Sequence, residues 1–243
     1  MARSILITGA SAGIGRAVAE RFLAEGWQVG LVARRAGLLE EVAAGHARAV
    51  VLPADVTDPE AVDRVFAEFV ARAGRLDVLF NNAGIFTPPA PIDEIPLEEW
   101  RAALAVNLDA MFLCARAAFG QMRRQSPPGG RIINNGSVSA HAPRPGSAAY
   151  TTTKHAITGL TKSLSLDGRE LGIACGQIDI GNARTDLLED IIERAVAAGE
   201  PAPPSIDVGL VADAVWHMAT LPPEANVPFM TLMANRMPYI GRG

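Results

Sequence analysis

Short apolar runs rich in β-branched residues alternate with longer amphipathic stretches along the whole chain. The runs predict strands at Ser4 to Thr8, Gln28 to Ala33, Ala47 to Leu52, Val78 to Asn81, Arg131 to Asn135, Ile173 to Ile178 and Phe229 to Met233. The stretches between them predict helices at Gly13 to Glu25, Gly37 to Ala44, Pro59 to Ala73 and Leu97 to Arg124. Further helices are predicted from just before Tyr150, over Thr185 to Ala198, and over Asp207 to Leu221. Runs such as Val29-Gly-Leu-Val-Ala33 and Val78-Leu-Phe80 are apolar without alternation, as strands covered on both faces are. Strand and helix in steady succession imply an α/β fold, a doubly wound parallel β-sheet of about seven strands with helices on both faces. Neither a linker nor a fixed-period repeat interrupts the pattern, so residues 1–243 read as a single domain.

Composition narrows the class further. With 49% hydrophobic and 20% charged residues the chain can bury a substantial core, which excludes a disordered protein. A net charge of −4 argues against a nucleic-acid footprint or a basic membrane surface. No apolar run reads as long enough to span a bilayer, and the N-terminus lacks a signal-peptide pattern. Cys114 and Cys175 sit in apolar contexts, so buried reduced thiols are expected and a disulfide framework is not. The histidines His46, His141, His155 and His217 show no metal-ligand spacing. A cytoplasmic location is the expectation.

The strongest local signal lies in the first strand-to-helix turn, Thr8-Gly-Ala-Ser-Ala-Gly-Ile-Gly15. Gly9 permits the tight turn, Gly13 lets backbone approach a pyrophosphate, and Gly15 allows close helix packing. The helix then offers N–H groups and a positive dipole end to an anion. Glycine-rich turns also arise for structural reasons alone, but the strand before and the helix after favour a nucleotide. Ser11, Ala12 and Ile14 complete this candidate site.

A second signal is Tyr150-Thr-Thr-Thr-Lys154. Residues four apart share one helical face, and Ile157, Leu160, Leu164 and Leu171 predict an apolar stripe that anchors the helix. A free phenol has a pKa of about 10, so ionising it at neutral pH costs roughly 4 kcal/mol. A cation about 4 Å away at moderate effective dielectric offsets on the order of 4 kcal/mol. An adjacent lysine could therefore make the tyrosine a working acid or base. Taken alone, the pair would equally be a surface tyrosine beside a solvated lysine.

The glycine turn, the Tyr-Lys pair, Asn81-Asn-Ala-Gly84 after the fourth strand, Asn107 in the long helix and Gly136-Ser137 after the fifth together resemble the short-chain dehydrogenase/reductase family. Ser137 lies thirteen residues before Tyr150, as in that family. The resemblance covers nearly the whole chain and implies a Rossmann-type sheet. It implies that Tyr150 is the general acid in carbonyl reduction and the base in alcohol oxidation. It gives Lys154 the tasks of lowering the tyrosine pKa and holding the nicotinamide ribose, and Ser137 that of holding the substrate carbonyl oxygen. Asn107 would anchor a water that relays protons from Lys154. Asp55, in Ala54-Asp-Val56, would meet the adenine, and Asn82, Ala83 and Gly84 the adenosine ribose. Other readings compete at single positions: Ser139 with Ser137, a helix-capping role for Asp55 (though Asp58 before Pro59 caps better), and a solvated Asn107.

The chain departs from the family after the sixth strand, where Ile180-Gly181-Asn-Ala-Arg-Thr185 stands in place of the usual Pro-Gly. Gly181 and Thr185 still match positions that hold the carboxamide and pyrophosphate; Ile180 removes a fixed φ and restores an N–H. The second strand ends Val32-Ala33-Arg34-Arg35, with Ala33 where a carboxylate would select NAD. Arg34 then points to NADP, with NAD the alternative. The substrate pocket is expected from Phe86 to Ile92, His141 to Pro145 and a lid over residues 185–205, with Phe86, Ile92 and Leu187 as apolar lining and Arg144 as a solvated residue or an anion partner. The reading is an NADP(H)-dependent oxidoreductase interconverting a carbonyl and a secondary alcohol, with a 3-oxoacyl or 3-hydroxy acid substrate suggested by resemblance. The alternative is a nucleotide-sensing module on the same fold. The partners expected are a small-molecule substrate and, by resemblance, further copies of the chain in a homodimer or homotetramer.

Overall fold

The computed structural model describes residues 3–197 and 199–240. In chain order the strands and helices are β1 (Ser4–Thr8), α1 (Gly13–Ala24), β2 (Gln28–Ala33), α2 (Ala36–Ala43), β3 (Ala49–Pro53), α3 (Pro59–Ala73), β4 (Val78–Asn81), α4 (Leu97–Leu104) and α5 (Ala110–Arg124). They continue with β5 (Gly130–Asn135), α6 (Ala148–Gly168), β6 (Ile173–Ile180), β7 (Ala183–Arg184), α7 (Asp186–Ala197), β8 (Ile206–Asp207), α8 (Val208–Thr220) and β9 (Phe229–Leu232). Seven strands form one parallel sheet in the order β3-β2-β1-β4-β5-β6-β9. This is the expected Rossmann-type arrangement, with the strand order reversing between β1 and β4.

The continuous apolar runs are explained by two cores, one on each face. On one face Ile5, Ile7, Val29, Leu31 and Phe80 pack with Val18 and Phe22 of α1 and Val211 and Val215 of α8. Phe22, Trp27 and Trp216 meet edge to face there, at centroid distances of 4.9 to 5.6 Å. On the other face Leu6, Val32, Leu79 and Ile132 pack with Phe66 and Phe69 of α3 and Cys114 and Met122 of α5. Each such fully buried side chain contributes roughly 1.5–3 kcal/mol. Cys114 and Cys175 are buried free thiols, and burial pushes both up to about 12.

Local signals fix the helix ends. Asp58 Oδ1 accepts from the Glu60 N–H at 3.0 Å, Pro59 takes the first helical position, and Gly74 ends α3 in the left-handed region at φ 82°. Asp58 is therefore the cap, as expected. Several boundaries differ from the sequence reading. β3 starts two residues late, because Ala49 N–H still closes a turn onto His46. The helix predicted over Leu97 to Arg124 is interrupted by a π-helical turn at Ala105–Asp109, whose wider winding turns Asn107 fully inward. By length and composition this helical stretch would suffice to cross a membrane, contrary to the sequence expectation; here one side of it packs on α3 and the sheet and the other side is exposed. The short strands β7 and β8 were not anticipated. They pair in parallel and bracket α7, the expected lid. Of the predicted lid, Ala198 and the side chain of Leu187 lie outside what the structure describes.

Candidate active site

The glycine turn leaves β1 and enters α1 with Gly9 at φ 68° and Gly13 at φ 53°, conformations that side-chain-bearing residues rarely adopt. A Cβ on Gly15 would collide with the Gly9 carbonyl, so helix and turn touch at backbone distance. A Cβ on Gly13 would lie 3.1 Å from the Thr185 side chain, which brings the predicted pyrophosphate residues together. No side chain caps α1 and no acidic residue occupies its first turn. The start of that helix is thus left without a capping side chain or a competing carboxylate of its own, which suits a bound pyrophosphate.

Thr8 ties this turn to the next strand. Its Oγ1 accepts from the N–H groups of Asn82 and Ala83 at 2.8 and 2.9 Å, and Asn82 Nδ2 donates to the Thr8 carbonyl at 2.9 Å. Asn135 Nδ2 then donates to Asn82 Oδ1 at 2.8 Å, and Lys154 Nζ donates to the Asn135 carbonyl at 2.7 Å. A hydrogen-bonded line therefore runs from the glycine turn across β4 and β5 to the lysine. Gly84 packs against Asn107, whose amide grips the Ile85 backbone on both sides, accepting at 2.7 Å and donating at 2.9 Å. The solvated alternative for Asn107 is excluded by its complete burial.

At the adenine end, Asp55 turns its carboxylate onto the Thr57 N–H and hydroxyl at 3.0 and 2.8 Å. Those two bonds, with a smaller contribution from the Arg34 charge, hold its carboxyl below the ordinary range. Val56 packs beneath, against the second core. The two arginines after β2 diverge. Arg34 acts on Asp55, whereas Arg35 Nη2 donates to Ser11 Oγ at 3.2 Å across the glycine turn. Sequence reasoning singled out Arg34 and passed over Arg35; the doubled arginine was the available signal.

The catalytic candidates converge at the C-terminal ends of β5 and β6. Of the expected apolar stripe on α6, Ile157 is fully buried and Leu164 and Leu171 pack half-buried on the second core, but the buried face proper is more polar than expected: Ala149, Thr153, Lys154, Ile157, Thr161 and Gly168. That face looks onto polar side chains of β5 and β6, which explains its composition. Tyr150 is stacked by Phe86, with centroids 4.5 Å apart and planes 17° from parallel. Lys154 Nζ lies 5.5 Å from the tyrosine ring centroid. Burial pushes the Tyr150 phenol up to about 12; the Ser137 hydroxyl and the Arg144 charge oppose the rise, and Asp179 adds to it. Lys154 Nζ donates to the Asn135 carbonyl rather than to the phenol, so the rise from burial prevails at Tyr150. Burial brings Lys154 itself down to about 8, against an opposing effect of Asp179. Between the competing serines, Ser137 is the one whose hydroxyl acts on the tyrosine, while Ser139 donates its backbone N–H to Ser137 Oγ at 3.1 Å.

Two of the three predicted substrate stretches face each other across a cavity of about 300 Å³, lined by Pro91, Ile92, Pro143, Arg144 and Ser147 beside the Tyr150 helix. Arg144 Nη2 also donates to Asn182 Oδ1 at 2.9 Å, linking this wall to the base of α7. The C-terminal segment supplies a wall that sequence reasoning missed: Ala234 and Met237 pack on Val138, next to Ser137. Asp179, unpredicted as a site residue, lies beneath Ser137 together with its partner His141, the first residue of an expected pocket stretch.

Residues 3–195 match the family model of the short chain dehydrogenases. The chain is 35% identical over 189 residues to a 3beta-hydroxysteroid dehydrogenase of Mediterraneibacter gnavus, covering 76% of this chain and 67% of that one. It is 34% identical over 209 residues to a 3-oxoacyl-(acyl-carrier-protein) reductase of Staphylococcus aureus, covering 83% and 84%. Its backbone superposes on the closed form of serine dehydrogenase complexed with NADP+ with a TM-score of 0.88 at 25% identity, covering 99% of this chain and 98% of that one. With five sequence motifs gathered into one site and a family match over most of its length, the chain belongs to the short-chain dehydrogenase family.

Proposed function

We propose that this protein is an NADP(H)-dependent oxidoreductase that interconverts a carbonyl and a secondary alcohol. The observation that carries the reading is that a line of hydrogen bonds from the glycine turn ends on Lys154, beside Tyr150 and the Ser137 hydroxyl that acts on it. The residues present fit a dinucleotide: an uncapped helix N-terminus, backbone exposed by Gly9 and Gly13, and two arginines at the adenine end. When bound, the nicotinamide supplies or accepts the hydride. Ser137 would donate a hydrogen bond to the carbonyl oxygen, and Tyr150 would deliver the proton to it as the alcohol forms. Phe86 keeps one face of the phenol ring out of water. The phenol above its ordinary pKa suits an acid that must hold its proton until reduction.

A 3-oxoacyl or 3-hydroxy acid is the substrate class we favour. Support comes from an apolar cavity with the Arg144 guanidinium on its wall, close enough to act on Tyr150. We further infer assembly as a homodimer or homotetramer, because Leu97, Phe112 and Leu166 stand exposed on α4, α5 and α6. A sensor module is disfavoured, since it would need no acid beside a buried lysine. The test is a panel of carbonyls and alcohols followed through absorbance of the reduced nicotinamide. Tyr150→Phe should lower turnover by about 10²–10⁴ while cofactor affinity stays within a few-fold. A variant keeping more than roughly a tenth of the wild-type rate would remove Tyr150 from its role.

A further inference from the structure

Beneath the catalytic turn lies a fully buried carboxylate. Asp179, near the end of β6, has no exposed surface. Its Oδ1 accepts from the Ser137 N–H at 3.0 Å and from Gln177 Nε2 at 2.7 Å. His141 Nε2 lies 2.8 Å from Oδ2. A Cβ on Gly136 would collide with Asp179 Oδ1, so the chain keeps a glycine where the carboxylate needs room. Burying a carboxylate costs several kcal/mol unless its hydrogen bonds are complete. Here they are supplied in a line. Asn81 Nδ2 donates to Asn134 Oδ1 at 3.2 Å, Asn134 Nδ2 to Thr161 Oγ1 at 2.9 Å, Thr161 Oγ1 to Gln177 Oε1 at 3.1 Å, and Gln177 to Asp179. Every donor in this chain points toward the carboxylate, and such aligned bonds polarise one another. The polar buried face of α6 is one wall of this conduit.

We propose that Asp179, with His141, is a positioning pair of this active site: it fixes the turn that carries Ser137 and supplies the negative charge that faces Lys154 and Tyr150. Within the hydrogen-bonded turn the pair holds the Ser137 backbone and leaves its hydroxyl for Tyr150. Electrostatically, Lys154 is faced by Asp179 from β6, by Tyr150 on its own helix and by the Asn135 carbonyl from β5. Arg144 acts on Tyr150 from the opposite wall. A negative charge favours the ammonium, so Asp179 opposes the loss of the Lys154 proton that burial promotes. This role rests on the oxidoreductase reading only where turnover is measured.

The test therefore has an arm that needs no substrate. The sequence contains no lysine besides Lys154 and Lys162, so carbon-13 labelling of lysine gives an NMR titration in which Lys162→Arg assigns the remaining signal. In Asp179→Asn the Lys154 titration should move to lower pH by about half a unit or more, because the opposing charge is gone. An unmoved titration overturns the proposal whatever the enzyme acts on. In the turnover arm, on any substrate the wild type accepts, Asp179→Asn should lose roughly tenfold in kcat with cofactor KM little changed. His141→Phe should lose about fivefold in kcat, measured well below a thermal midpoint lowered by the unpaired Oδ2, and His141→Gln, which keeps an N–H for the carboxylate, should recover most of both. Glutamine as damaging as phenylalanine, or phenylalanine at the wild-type rate, overturns the role of His141. If Asp179→Asn fails to fold, the two His141 variants decide alone.

Discussion

The site has two halves made of different material. On the β1–α1 side the working groups are backbone: N–H groups at a helix start and carbonyls brought close by glycine, with the Thr8 and Asn82 side chains acting as braces. On the β5–β6 side the working groups are side chains, and their setting is a buried polar network of Asn134, Thr161, Gln177, Asp179 and His141. Backbone-built sites tolerate no added volume, since every approach is already at contact. Side-chain-built sites tolerate volume better but depend on charge and on which atom donates. The comparison predicts that mutations in the two halves fail differently, one in binding and stability, the other in rate and pH dependence.

The largest effect on binding and stability should come from Gly15→Ala. The added carbon meets the Gly9 carbonyl and lies 2.7 Å from Asn82 Nδ2, so the turn must open. Overpacking of this kind costs about 1–3 kcal/mol, and at this chain length each kcal/mol lowers the thermal midpoint by about 2–4 °C. Dinucleotide affinity, measured by titration of the protein's fluorescence, should fall at least about tenfold, equivalent to ~1.4 kcal/mol. Wild-type affinity in this variant would show that the turn is not the binding element and would break the contrast between the halves.

The same contrast explains what could be read from the sequence. Gly9, Gly13 and Gly15 report their own task, because only glycine serves where backbone touches backbone, and their spacing lies within one turn. Tyr150 and Lys154 are likewise adjacent on one helix. Asp179 and His141 are 38 residues apart, and nothing in either local pattern says that they meet. Gln177 and Asp179 inside an otherwise apolar strand were the available signal. The polar face of α6 was missed for a related reason: Thr161 is buried against Asn134 of β5 and Gln177 of β6, and Thr153 against Asn107, partners that no helical periodicity contains. The π-helical turn at Asn107 and the β7–β8 pair escaped because both are set by tertiary contacts rather than by local preference.

An intermediate effect is expected where the two materials meet, at the adenine end, since Arg34 and Arg35 are side chains added to a backbone-built site. Arg35 already reaches Ser11 in the glycine turn, and Arg34 is directed toward Asp55. A phosphate on the adenosine ribose would find two guanidinium groups with fork geometry and no carboxylate at Ala33. We expect kcat/KM to favour NADPH over NADH by about tenfold, a difference of ~1.4 kcal/mol. Ala33→Asp with Arg34→Leu should reverse the order, and adding Arg35→Leu should abolish the remaining use of NADPH without lowering NADH turnover. Equal use of both cofactors by the unmodified protein would make the arginines surface residues and leave this half purely backbone-built.

The smallest effect should come from Ile180→Pro, which restores the residue usual in the family and asks whether this strand end has been rebuilt around Asp179. The ladder to β9 is carried by the N–H groups of Gln177 and Gly181, which donate to Pro228 and Leu232 at 2.9 and 2.8 Å. Alternation along a strand turns the Ile180 N–H to the other edge, toward β5. There the paired register ends at Asn135 and Ile178, so proline removes no ladder bond to either neighbour. What it removes is apolar contact, because Ile180 is buried at 6% exposure in the core beside α8. A loss on the order of 1 kcal/mol follows, a shift of about 2–4 °C in thermal midpoint, partly offset by the stiffer unfolded chain. Rate and pH profile should stay near wild type, since Asp179 keeps its partners. A collapse in stability would show that the ring forces Asp179 off the Ser137 N–H, and it would then join the cofactor turn to the charged pair as one mechanical unit.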